Sequence, residues 1–200
     1  MRVQLPKFMI KFAGNAYFHK YPMFFVYKPD IHRVRGPQVR QILNTVEPGD
    51  VLYRRHDGYL NTICTPGYYG HVGLYVGGDQ VVHALGKGII EEDIINFCRA
   101  DAVGVSEVVG ASEEQISDAI DFAKSQIGKE YDFTFTAGDD VYNCTELIDA
   151  AYMLRFVNDY EMVLGNRVLT PDGMYLSRWS RIKYDTVEGN KLALVKSRRV

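Results

Sequence analysis

The sequence predicts an α+β fold: one domain with a small antiparallel sheet, or an open barrel, flanked by helices. Three observations carry that prediction. "HVGLYVG" (71–77) and "QVVHALG" (80–86) are apolar runs joined at Gly77-Gly78-Asp79, which reads as a β-hairpin. "SEEQISDAIDFAKSQIG" (112–128) has the 3.6-residue period of an amphipathic helix. The order of elements is helix, strands, helices, hairpin, with no internal repeat or low-complexity linker, so the classes of element are segregated along the chain. Its 200 residues suit a single core, so residues 1–200 are taken as one domain.

In chain order, residues 1–35 form an arm that is aromatic and basic, with charges interrupting every apolar run. It lacks the continuous apolar segment of a secretory signal. No stretch reaches the roughly 20 apolar residues that span a bilayer. The arm is expected either to pack its aromatics on the domain or to touch a membrane or lipid. The expected location is the cytoplasm, or the cell envelope if a signal has been removed. "GPQVRQILNTV" (36–46) reads as a short helix with Pro37 in its first turn and Val39, Ile42, Leu43 and Val46 on one face. Pro48-Gly49 then turns the chain into a strand at 50–54, followed by a loop or frayed helix at 56–70. After the hairpin, a strand is expected at 88–93, a short helix through "DIINFCR", and a β-branched strand at 102–109.

In the 112–128 helix, Ser112 is the N-cap, Gln115 completes a capping box, and Ile116, Ala119, Ile120, Ala123 and Ile127 form the apolar stripe up to Gly128. "YNCTELIDAAYMLRF" (142–156) reads as a second long helix and "TPDGMYLS" (170–177) as a third, short one. "RIKYDTV" and "KLALVKS" read as a closing hairpin around Glu188-Gly189-Asn190.

Net charge is −2 and pI is near 6.2, so no global field attracts nucleic acid, and no nucleic-acid partner is expected. The basic runs at 32–40 and 196–200 read as solvated surface. Cys64, Cys98 and Cys144 are odd in number and far apart, without the short spacing of a zinc site. At least one thiol lacks an intramolecular partner, which suits a reducing compartment. No metal or other cofactor is expected, and the oligomeric state stays open.

The chemistry centres on Cys144, at the point where a polar stretch becomes the 142–156 helix. It is either a small buried apolar residue or a nucleophile whose thiolate is favoured by helix N–H groups and the macrodipole. A base decides between them. If Val76 pairs with Gln80, His71 stands opposite about Leu85, and His71 and His83 become diagonal neighbours on one face; a one-residue slip would separate them. One imidazole can then take the thiol proton while the other orients it. Tyr53, Tyr68, Tyr69 and Asn143 are candidates to line the substrate site, with packing as the alternative for Tyr53. Glu146 is given a structural role at the helix start. His19, His32 and His56 have no motif around them.

The segments "PGDVLYRR", "GYYGHVGLYVGGDQVVHALGKGIIEEDI", "GKEYDFTF" and "YNCTELIDAAY" resemble the permuted branch of the NlpC/P60 superfamily, and within it the YiiX/YebB-like papain-fold amidases. More distantly they resemble lecithin:retinol acyltransferase-like enzymes. The match covers about 47–155, roughly half the chain, with the histidine strand ahead of the cysteine helix. The resemblance implies a circularly permuted papain-like fold, with Cys144 as nucleophile, His71 as general base and His83 as the third, orienting residue. YiiX-like proteins often carry a carboxylate where this chain has His83. The implied reaction is acyl transfer through a thioester. Its expected substrate is a small peptide amide, with an acyl amide or lipid ester as the alternative and a silent binding module as the rival to catalysis.

Overall fold

The computed structural model describes residues 16–18, 25–27, 32–57, 67–133, 141–163 and 166–187. Two short strands of the arm, β1 (Ala16–Phe18) and β2 (Phe25–Tyr27), pair with each other; its residues 32–35 are also described, with Val34 buried, and the rest of the arm lies outside the described residues. Helix α1 (Gly36–Thr45) matches its expected span, with Pro37 in the first turn. Strand β3 (Val51–Arg55) follows, then β4 (His71–Gly77), β5 (Gln80–Leu85) and β6 (Gly88–Asp93). A single-turn helix α2 (Ile94–Phe97) leads into β7 (Ala102–Val108). Helices α3 (Glu113–Ser125) and α4 (Cys144–Ala151) come next, then a small hairpin of β8 (Glu161–Val163) and β9 (Asn166–Val168). Helix α5 (Pro171–Tyr175) and strand β10 (Ser180–Asp185) complete the described chain.

Six strands form one open antiparallel sheet in the order β10-β7-β3-β4-β5-β6. Period-two alternation sorts their side chains onto two cores. Val51, Tyr53, Val72, Leu74, Val82 and Ala84 face the layer of α3 and α4, whose Ala119, Ala123, Leu147 and Ile148 are fully buried. Leu52, Tyr75, Val81, Val103 and Val105 face α1 and α2, where Ile42 and Phe97 are buried. Each fully buried side chain of this size contributes about 1.5–3 kcal/mol. The β4–β5 turn places Gly77, Gly78 and Asp79 at positive φ (83°, 60° and 61°), a conformation that glycine and aspartate tolerate best.

Three elements depart from expectation. Ile127 is not on a buried stripe: α3 ends at Ser125, and the isoleucine, in the turn beyond it, is 42% exposed. The 142–156 helix is only Cys144–Ala151, because the chain turns left-handed at Met153 and Leu154 (φ 56° and 59°). The buried Asp149 carboxylate stabilises that exit, accepting the Phe156 N–H at 2.8 Å and the Tyr160 hydroxyl at 3.0 Å. The closing strand pairs with β7; the second arm of the expected hairpin lies outside the described residues. The β8–β9 hairpin had not been foreseen, although Gly165-Asn166 between short apolar runs is a turn signal.

Asp149→Ala should leave the Phe156 N–H buried without an acceptor and cost about 1–3 kcal/mol in urea unfolding. Asp149→Asn, which keeps one acceptor oxygen, should lose less; equal losses would remove this account of the helix end.

Candidate active site

The β4–β5 ladder pairs Leu74 with Val82 and Tyr75 with Val81, while Gln80 stands opposite Gly77 rather than the expected Val76, because a bulge falls between Tyr75 and Gly77. Continued toward the start of β4, this register sets Gly73 beside His83 and makes His71 its diagonal neighbour. The two imidazoles meet: His71 Nε2 is 2.8 Å from His83 Nδ1, and the ring centroids are 5.1 Å apart. Gly73 leaves the room for this contact. A Cβ there would fall 2.6 Å from Val81 Cγ1, 3.0 Å from Phe97 Cε2 and 3.2 Å from His83 Cβ. With that space free, the Phe97 ring approaches both imidazoles, at 6.0 Å and 5.4 Å between centroids.

Behind His83 stands Glu92. The β5–β6 ladder pairs His83 with Ile90 and Val81 with Glu92, so the carboxylate reaches His83 on the diagonal. Glu92 Oε2 lies 3.2 Å from His83 Nε2, by an oblique approach, and 3.3 Å from Arg54 Nη1. Arg54 is the cross-strand partner of His71, and its guanidinium sits 4.6 Å from the centre of the Phe97 ring.

Burial first, then the Arg54 guanidinium and the rings of His83 and His56, hold the His71 imidazolium well below its ordinary range. Burial lowers His83 as well, with Glu92 opposing. Burial and Arg54 push His56 down to about 4. Burial alone would raise the Glu92 carboxyl, but His83 and Arg54 bring it net below the usual range.

The cysteine arrives from the other side of β4. Asn143 caps α4: its Oδ1 accepts the Thr145 and Glu146 N–H groups, each at 3.0 Å, and the Thr145 hydroxyl at 2.9 Å. Glu146 Oε2 returns the bond by accepting the Asn143 N–H at 3.1 Å, completing a capping box. The first helical residue is then Cys144, 8% exposed and packed with Val72, Leu147 and Ile148. Burial pushes its thiol up to about 11, against the backbone N–H groups of Val72, Thr145 and Cys144 itself. Burial therefore outweighs the helix terminus, and the proton rests on sulfur.

Among the described residues no hydrogen bond runs from this sulfur to either imidazole. The link between the two sides is Val72, adjacent to His71, whose N–H favours the thiolate, and Arg54, whose charge acts on both Cys144 and His71. Val72 turns into the helical layer and His71 toward Phe97, so any meeting of thiol and imidazole is across the first residues of β4.

The expected lining residues are placed differently from one another. Tyr53 is fully buried, its hydroxyl 3.1 Å from Ser106 Oγ and 3.4 Å from Ser180 Oγ, which is the packing alternative. Tyr69 is also buried; its hydroxyl donates to both oxygens of Asp185 at 2.8 Å and its N–H to Asp172 at 2.8 Å. Tyr68 is half-buried beneath the Arg55 guanidinium, 4.4 Å away. Asn143 spends its oxygen on the helix cap, while its buried Nδ2 has no partner. Cys98 packs beside Ile94 and Phe97, its thiol pushed up to about 12 by burial; Cys64 lies outside the described residues. Sequence reasoning missed Glu92, Arg54 and His56. Parity in "GIIEED", read against a β5–β6 hairpin, carried the signal for Glu92.

A histidine hairpin precedes a cysteine-headed helix on an open antiparallel sheet between helices, which is the layout of a papain-like fold with permuted chain order. A family model described as "Permuted papain-like amidase enzyme, YaeF/YiiX, C92 family" matches residues 45–194, and the chain belongs to that family. Over 119 residues it is 28% identical to the uncharacterized protein YycO of Bacillus subtilis (strain 168). That match covers 56% of this chain and 46% of YycO, so the chain spans about half the length of that curated relative. The crystal structure of yiiX from Escherichia coli O157:H7, titled a metalloprotein, aligns with TM-score 0.56 over 72% of this chain and 99% of that one, at 17% identity. No described helix is long and apolar enough to cross a membrane.

The half-buried His56 gives a pH prediction. His56 titrates near 4 in the folded chain and near 6.5 when unfolded, so the unfolded state binds more protons between those values. The stability it contributes is complete above about 6.5 and is lost as pH falls toward 4. Urea unfolding across that range should show a shallower pH slope in His56→Gln than in the wild type; identical slopes would contradict the assignment.

Proposed function

We propose that the chain is a cysteine-dependent amidase or peptidase that works through a thioester acyl-enzyme, with a peptide amide such as that of a cell-wall stem peptide as substrate. What supports this reading is that Val72, whose amide faces the Cys144 sulfur at the head of α4, directly follows His71, whose imidazole is bonded to that of His83. Family membership supports the amidase class.

Because the proton rests on sulfur, the thiolate forms only as the carbonyl is attacked. His71 takes the thiol proton while sulfur bonds to the carbonyl carbon, and the resulting imidazolium hands that proton to the departing amine nitrogen as the C–N bond breaks. Water then attacks the thioester; His71 accepts its proton and returns it to the leaving sulfur. The Thr145 and Glu146 N–H groups are taken by the Asn143 cap, which leaves the Cys144 N–H as the helix-start donor for the oxyanion.

yiiX is titled a metalloprotein. Among the described residues of this chain no group of three or more His, Cys, Asp or Glu side chains is gathered to hold an ion, so the residues present do not fit a metal centre and no step runs through one.

Hydrolysis of peptide amides should be blocked by iodoacetamide and insensitive to fluorophosphonates. Cys144→Ser and His71→Ala should each lower kcat/KM by at least about 100-fold, the usual lower bound for a general base. Full activity in either variant would end this reading.

A further inference from the structure

We propose that Glu92 is a positioning residue that sets the tautomers of both imidazoles, so that the free lone pair falls on His71 Nδ1. This rests on the reading of His71 as the base, and it adds Glu92 as a fourth side chain behind the Cys144, His71 and His83 of that reading.

Glu92 Oε2 receives two approaches, from Arg54 Nη1 at 3.3 Å and from His83 Nε2 at 3.2 Å. The guanidinium can only donate, and it keeps the carboxylate ionised. An ionised carboxylate can only accept, and although the approach is too oblique for a formed hydrogen bond, its charge 3.2 Å away favours a proton rather than a lone pair on His83 Nε2, which leaves the lone pair on Nδ1. That Nδ1 is 2.8 Å from His71 Nε2, and one of the two nitrogens must donate. His71 therefore carries its proton on Nε2, and Nδ1 is left as the base.

Reversing the chain would either set a bare His83 Nε2 lone pair 3.2 Å from the ionised Glu92 oxygen, or require Glu92 to be protonated beside Arg54 or His83 to be charged in full burial; each is costlier than a proton on Nε2. Glu92 has a second effect. Arg54 disfavours an imidazolium at His71, and Glu92 offsets that charge while supporting the cation through His83. The other charged or titratable groups facing this chain are His56, after β3, and Lys87, in the β5–β6 turn. The proton itself travels only from the Cys144 thiol to His71 Nδ1 and on to the leaving amine; His83 keeps its own proton and Glu92 stays ionised.

Side-chain ¹⁵N NMR of the full chain with labelled histidine reads the tautomers without any substrate. Both His71 and His83 should be protonated at Nε2; a proton on His71 Nδ1 overturns the proposal. In kinetics, Glu92→Gln should lower kcat/KM about 10–100-fold, as for other partners that orient a functional histidine. The loss should fall mainly on kcat, with the acid limb of the pH profile moved to lower pH, and Glu92→Asp should recover part of it. A folded Glu92→Gln with the wild-type rate and profile would overturn the proposal. Should the wild type show no Cys144-dependent turnover, the functional reading fails while the NMR result still decides the tautomers.

Discussion

The contact between His71 and His83 is the interaction on which the site depends. Two imidazoles bonded at 2.8 Å in a largely buried setting tolerate little movement, and their approach is fixed by backbone pairing. A one-residue slip of β5 against β4 would send one ring to the opposite face. The register is secured by the left-handed turn at Gly77–Asp79 and by Gly73, whose missing side chain lets Phe97 close against both rings. The β5–β6 ladder then brings Glu92 behind His83, and the β3–β4 ladder brings Arg54 beside His71. Three consecutive antiparallel pairings thus assemble one polar chain within an otherwise apolar face.

Electrostatics give that chain its character. Burial raises the thiol and lowers the imidazole, so the resting site holds a thiol and a neutral ring rather than an ion pair. A helix terminus favours a thiolate, but here the cap has taken two of its N–H groups and the sulfur is 8% exposed. In the proposed mechanism such a site keeps its thiol quiet until a carbonyl is present, because only then does moving the proton gain a bond to carbon. The Arg54–Glu92 pair keeps the surroundings of the rings near neutral, so the charge that develops on His71 is not added to an existing one.

Much of this was legible in the sequence. The fold class, the hairpin, the Ser112 capping box and the His71–His83 diagonal all follow from local patterns, because turn chemistry and strand parity act over a few residues, whereas the bulge that sets Gln80 opposite Gly77 instead of Val76 does not show in them. What was not legible depended on contacts between distant segments. Asp149 ends its helix by capturing an N–H seven residues on, and nothing in apolar periodicity reports that. Ile127 fits the stripe by spacing but lies past the last helical turn. Glu92 needed two hairpins read together, and Arg54 needed the pairing of strands separated by a loop. The same limit applied to the tyrosines. Tyr53 and Tyr69 precede or flank the histidine strand in sequence, yet their hydroxyls are tied to Ser106 and Asp185 in the core.

The account's central claim is that one sulfur, at the head of α4, is activated by the imidazole at the head of β4. Labelling the wild-type chain with an acyl electrophile, followed by mass spectrometry of the peptides, tests it most directly. The account predicts adduct on Cys144, absent from Cys64 and Cys98, forming markedly more slowly in His71→Ala. Label on Cys64 or Cys98 instead, or a Cys144 rate indifferent to His71, would contradict it.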